Sequence, residues 1–288
     1  MAELTPGEPQ TANDYPSRTT EAVKSVLLEI GQVLGSFKGK FAVVGGGVPW
    51  LLLDNEDMPH VGTVDVDLAL DAEALGDGEY VTLVDALKDA GYEQRKDTHR
   101  RFQLVRSVPA RDGGPAIDIV VDFLMPKGAD IEKNIPPLLS EFAVIRADGA
   151  ELALRYPQMT AITGNMIGGG KNKVEIAVAS IPALLVMKGH ALGKRDKRKD
   201  AYDIYYCIFN YADGIEALAE ACKPLLEYKE AVQGYNFIKE KFSELEMLGP
   251  TYVRKFVEDS DLLAGRTSDQ WQRDAYGQVS AWVKALGI

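Results

Sequence analysis

The chain has 288 residues, 46% of them apolar and 26% charged, an ordinary globular composition with length enough for one large core or two modest ones. A formal net charge of −11 argues against a protein that coats nucleic acid without regard to sequence. No apolar run is long enough for a membrane span and no secretory leader opens the chain, so a cytoplasmic protein with no membrane partner is expected. Cys207 and Cys222 form no Cys-x-x-Cys or Cys/His cluster, which argues against structural zinc and leaves two reduced thiols.

Residues 1–17 are polar, Thr-rich and interrupted by prolines; with little to bury, they read as a disordered tail. Thr19 or Thr20 then caps a helix to about residue 36, with Val23, Leu27, Ile30, Leu34 and Phe37 as its apolar stripe. A first strand over 41–44 ends in Gly45, Gly46 and Gly47. A second strand, over 64–70, carries Asp65 and Asp67. Strand side chains alternate with a period of two, so both carboxylates leave the same face. Two such carboxylates repel each other until a divalent cation sits between them, and the glycines allow backbone N–H groups to approach a phosphate. Together these features point to phosphoryl or nucleotidyl transfer.

A helix over 80–90 is closed by Gly91, a residue suited to a left-handed cap. A strand over 101–106 and a turn at 111–115 precede a stronger strand over 116–124, which places Asp118 and Asp122 on one face. Short strands and turns fill 142–179, with a hairpin across 168–172, and Ser180 with Pro182 marks a helix start. Beyond 182 the pattern is helical, over 201–211, 215–227, 231–248, 252–258 and 268–286. Tyr235, Ile238, Phe242, Tyr252, Phe256, Trp271 and Trp282 recur there at core spacings. The change from α/β to all-α divides the chain into a tail at 1–17, an α/β domain at 18–180 and a helical domain at 181–288.

Cations concentrate in two islands. One holds Arg95, Lys96, Arg100, Arg101 and Arg106; the other holds Lys188, Lys194, Arg195, Lys197, Arg198 and Lys199. Such islands on an acidic chain suit a local anion such as a nucleotide or an RNA end, or are simply solvated faces. Lys188 follows the apolar run Leu184–Met187, so it either snorkels outward or meets a buried anion. Asp200 and Asp203, three apart, share a helix face, where pairing with Lys197 or Lys199 is the plain structural reading.

Two rival motifs are weaker. Asp65 follows Gly45 by 20 residues, the outline of a dinucleotide site, but the third glycine of that motif would fall at Trp50 and a ribose needs only one acid. Gly168–Lys171 lacks the other glycine and the Ser or Thr of a P-loop. His60, His99 and His190 are too scattered to suggest a hydrolase.

In order, Gly45-Gly46, Thr63-Val64-Asp65-Val66-Asp67-Leu68, the acidic strand with Asp122, and Lys188 followed by Lys199-Asp200-Ala201-Tyr202-Asp203 resemble the DNA polymerase-β-like nucleotidyltransferases. The spacing of the later part is similar to their AbiEii branch, the toxins of type IV toxin–antitoxin and abortive-infection systems, over roughly residues 20–210. The resemblance implies an α/β (α+β) fold, a small mixed sheet with flanking helices followed by an all-α domain. It implies transfer of an NMP from an NTP to an acceptor hydroxyl, with Mg²⁺ or Mn²⁺ held by Asp65, Asp67 and Asp122; Asp118 is the alternative third carboxylate. Gly45, Gly46, Gly47, Thr63, Lys188, Asp200 and Asp203 would surround the nucleotide. An RNA acceptor such as a tRNA 3′ end and a cognate antitoxin are further implied. The chain departs from many members at Gly47, where a Ser or Thr would contact a phosphate. A small-molecule nucleotidyltransferase of the antibiotic type and a non-catalytic nucleotide-binding protein are the alternatives.

Overall fold

The computed structural model describes residues 9–53, 55–75, 78–94, 103–110, 112–129 and 144–288. In chain order its first elements are α1 (Ser17–Val33), β1 (Phe41–Val44), α2 (Val48–Leu52), β2 (Asp65–Leu70), α3 (Glu79–Asp89), β3 (Glu93–Gln94), β4 (Gln103–Val108) and β5 (Ile117–Pro126). They are followed by β6 (Ile145–Ala147), α4 (Ala150–Arg155), β7 (Pro157–Asn165), β8 (Lys171–Ala179), α5 (Ile181–Lys194), α6 (Arg198–Asn210) and α7 (Gly214–Cys222). The last three are α8 (Lys229–Lys241), α9 (Leu248–Val257) and α10 (Ser268–Leu286).

The first compact unit, Ser17–Val48 with Thr63–Ser180, is built on one mixed sheet in the order β3-β4-β5-β2-β1-β8-β7, with β6 beside the end of β5. β1 is wholly apolar and buried because it lies inside the sheet, between β2 and β8. It pairs with β2 antiparallel, which excludes the parallel strand–helix–strand unit of a dinucleotide fold. β5 alternates along its length: Ile119, Val121, Phe123 and Met125 are buried, and the residues between them face outward. α1 presents Val23, Leu27 and Ile30 to this core, with Leu34 and Phe37 buried just beyond its end. The predicted hairpin is present: Met166 N–H donates to Gly170 O at 2.9 Å, and Gly169 and Gly170 have positive φ, so no P-loop forms there.

The second unit comprises the described residues up to Pro16, Pro49–Gly62 and Ile181–Ile288. The sequence implies a single crossing near residue 180, whereas the chain also crosses at 16/17, 48/49 and 62/63. Residues 9–16, read from sequence as part of a tail, include a 3₁₀ turn at Ala12–Asp14; Tyr15 is buried, its ring 5.8 Å from that of Phe256. Asn13 Nδ2 also donates to Asp259 O at 2.9 Å, so an apolar ring and a hydrogen bond dock a segment that composition alone marks as polar. α6 packs against α5, α7, α9 and α10, so nearly all of it is buried. Tyr235, Ile238, Phe242, Phe256, Trp271 and Trp282 form the core as predicted, and Tyr252 is half-buried. α5 and α8 approach so closely that a Cβ on Gly189 would lie 2.0 Å from Gly234 O. Among the described residues no helix is long and apolar enough to cross a membrane.

Candidate functional site

In the sheet unit the carboxylates converge by register. Asp67 is opposite Val44 in the β1–β2 ladder and opposite Asp122 in the parallel β2–β5 ladder. Neighbouring strands run about 4.8 Å apart, so Asp67 and Asp122 stand side by side, and Asp65 follows on the same face. Asp118, the alternative third carboxylate, is four residues back along β5, roughly 13 Å away. There it is exposed, opposite Ser107, whose hydroxyl donates to it. The register therefore brings Asp122, and not Asp118, to Asp67. Thr63 Oγ1 donates to Asp65 Oδ1 at 2.7 Å, holding that carboxylate as β2 begins.

Gly45 follows β1 directly and opens a 3₁₀ turn over Gly45–Gly47. Its φ is +76°, and a Cβ there would lie 1.8 Å from Asp67 Oδ2. Two independent constraints thus demand glycine: the backbone region and the carboxylate occupying the space. Gly45→Ala is expected to cost about 1–2 kcal/mol in strain and to displace Asp67. A thermal midpoint equal to wild type would contradict this packing. At Gly47 a Cβ would meet Thr63 Cγ2 at 3.3 Å, a tight but tolerable contact.

Among the described residues, no three His, Cys, Asp or Glu side chains are gathered tightly enough to hold a metal ion as they stand. The donor set nevertheless suits Mg²⁺ or Mn²⁺ chemically, since three carboxylates offer hard oxygen ligands from adjacent positions on one sheet face.

Lys188, Asp200 and Asp203 belong to the helical unit, where they form a buried ion-pair network. Lys188 Nζ reaches Asp200 Oδ1 and Asp203 Oδ2, each at 2.7 Å. Lys199, one turn before Asp203 on α6, donates to Asp203 Oδ1 and Oδ2 at 2.8 and 3.1 Å. Arg195 grips Asp200 with two N–H groups, at 2.8 and 3.1 Å. Pairing of Asp203 with Lys199 matches the plain structural reading, and Asp200 is gripped most closely by Lys188 and Arg195. The reason is burial: both carboxylates are fully enclosed, and two charges inside a protein need close counter-charges. Burial opposes ionisation of both carboxylates, but Lys188 outweighs it, helped by Arg195 at Asp200 and by Lys199 at Asp203, and both pKa values lie below the usual carboxylate range. Burial likewise works against the Lys188 charge, and Asp200 with Asp203 overcomes it, raising its pKa.

The basic island around Lys188 is therefore not one solvated face. Lys188 and Lys199 point inward, and Arg195 is half-exposed while bound to Asp200. Of the other island, Arg95, Lys96, Arg100 and Arg101 lie outside the described residues. Arg106 forks onto Glu29 at 2.8 and 2.9 Å and stacks over Tyr92, a structural pairing.

Sequence reasoning missed His60, which no local pattern singles out. Its side chain is fully buried and its Nε2 stands 3.0 Å from Asp203 Oδ1. Burial, then the nearby Lys199, lower its pKa from the ordinary 6.5 to about 4 despite the contact with Asp203, with Lys188 adding to the lowering. Between those values the unfolded chain binds the proton that the folded chain refuses, so stability rises with pH in that window. Stability should accordingly fall as pH drops from about 6.5 to 4, by about 3 kcal/mol for a lowering of that size. It should fall further below the ordinary carboxylate pKa of 3.8 as Asp200 and Asp203 protonate. Urea midpoints across this range test it: a flat profile between pH 7 and 4 would show that His60 is not held neutral.

A family model described as "Nucleotidyl transferase AbiEii toxin, Type IV TA system" matches residues 57–276. Among curated protein sequences none matches. An antigenic nucleotidyltransferase-like protein from Paracoccidioides brasiliensis is similar in structure at 19% identity and a TM-score of 0.37, covering 76% of this chain and 94% of its own. JHP933 from Helicobacter pylori is similar at 12% identity and a TM-score of 0.41, covering 92% and 93%. At these scores the likeness is loose and carries no argument about the site.

Proposed function

The chain belongs to the nucleotidyl transferase AbiEii toxin family of type IV toxin–antitoxin systems, and from that premise we propose that it moves an NMP from an NTP to an acceptor hydroxyl on RNA. The acceptor oxygen attacks the α-phosphorus, the bond to the bridging oxygen breaks, and pyrophosphate leaves. Asp65, Asp67 and Asp122 would hold Mg²⁺ or Mn²⁺, which when bound supplies charge neutralisation at the phosphates. The Asp122 carboxylate accepts the proton of the attacking hydroxyl. Gly45 and Gly46 give the phosphates close access to backbone N–H groups, with Gly47 contributing no hydroxyl. Lys188, whose ammonium meets Asp200 and Asp203 at 2.7 Å each, would be the cation that binds the phosphates of the NTP. A tRNA 3′ end is the proposed acceptor, the cytoplasm the proposed site of action, and a cognate antitoxin the proposed protein partner.

The observation that supports this most is the in-register pair of Asp67 and Asp122, with Gly45 pressed against Asp67. Incubating the chain with each α-labelled NTP, Mg²⁺ and total RNA tests it. A labelled RNA band that disappears on omitting the metal is expected. Label on a small molecule would redirect the acceptor to the antibiotic type, and no label with any NTP would defeat the catalytic reading.

A further inference from the structure

We propose that His60 is a positioning residue for Lys188: it fixes Asp203, and through Asp203 it aims the lysine ammonium. The proposal rests on the nucleotidyl-transfer reading above. Gly62 N–H donates to His60 Nδ1 at 3.0 Å, so that nitrogen is an acceptor and carries no proton. The proton then sits on Nε2, which donates to Asp203 Oδ1 at 3.0 Å. Lys199 holds the same oxygen at 2.8 Å, while Asp203 Oδ2 is the one that meets Lys188, at 2.7 Å. Two donors on one oxygen thus set the plane of the carboxylate and the direction in which the other oxygen draws Lys188.

The imidazole is itself held tightly. Its ring stacks on Tyr202 at 5.4 Å and meets the edge of Tyr206 at 4.7 Å. Tyr206 Oη donates to Met58 O at 3.0 Å, and Asn55 Nδ2 donates to Asn210 Oδ1 at 2.6 Å. Residues 55–62 are therefore fastened along α6. A histidine with both ring nitrogens committed and no exposed surface is a fixed strut, and Asp203 is the group it braces.

The test uses the full chain with His60→Phe, which keeps a ring against Tyr202 and Tyr206 but has no donor, and His60→Gln, which restores an amide donor. Affinity for NTP–Mg²⁺ is measured by calorimetry beside steady-state kinetics. His60→Phe should raise the NTP Kd and KM roughly tenfold with kcat within about twofold, the size expected for a lost hydrogen bond to a buried charge. His60→Gln should recover most of this, and His60→Phe should add nothing in a Lys188→Ala background. Equal losses in both backgrounds, or an effect on kcat alone, would overturn the link to Lys188. Should His60→Phe fail to fold, ¹⁵N NMR of the wild-type histidines decides: a protonated Nδ1 at His60 would overturn the proposal. A wild-type chain that binds no NTP would bring down the transfer reading, and the role of His60 with it, while the NMR tautomer would still report the His60–Asp203 contact separately.

Discussion

Replacing Asp67 with asparagine is expected to cut NMP transfer by on the order of a hundred- to a thousandfold while leaving the fold intact. Asp67 stands next to Asp122 across the β2–β5 ladder and shares its face with Asp65, so three anions crowd one patch of sheet. Asparagine has nearly the same shape, removes one of the repelling charges, and should leave the thermal midpoint unchanged or higher. What it loses is a charged oxygen ligand, which matters most where charge develops during transfer. Turnover of α-labelled NTP and a melting curve on the same preparation separate these effects. A variant that unfolds, or one that turns over at the wild-type rate, would remove Asp67 from the role assigned to it.

Lys188→Ala should behave differently, because its partners are enclosed. It leaves Asp200 and Asp203 fully buried without the cation they share, and breaking such a pair typically costs about 3–5 kcal/mol. A midpoint lowered on the order of ten degrees is expected. Below that midpoint, NTP binding should weaken roughly ten- to a hundredfold, the range for a charge-assisted hydrogen bond. Wild-type stability in the alanine variant would contradict the buried network. A destabilised variant with wild-type NTP affinity would leave the network standing and end the assignment of Lys188 to the phosphates.

Much of this could be read from local pattern. The alternation of 64–70 and 116–124, the glycine turn after β1, the hairpin at 168–172 and the helical spacing of Trp271 and Trp282 involve residues close in the chain. The same-face placement of Asp65 and Asp67 follows from a period of two alone. Three decisions were tertiary. Whether Asp118 or Asp122 meets Asp67 depends on the register of two strands that are distant in sequence, and a slide of four residues would have exchanged them. Whether Lys188 and Lys199 face solvent or a carboxylate depends on α6 being surrounded by four helices, since only enclosure makes a bare Asp200 or Asp203 too costly to leave. And His60 meets Asp203 across 143 residues, because Pro49–Gly62 folds with the helical unit. Periodicity describes which way a side chain leaves its own strand or helix; it carries no information on what another segment brings to meet it.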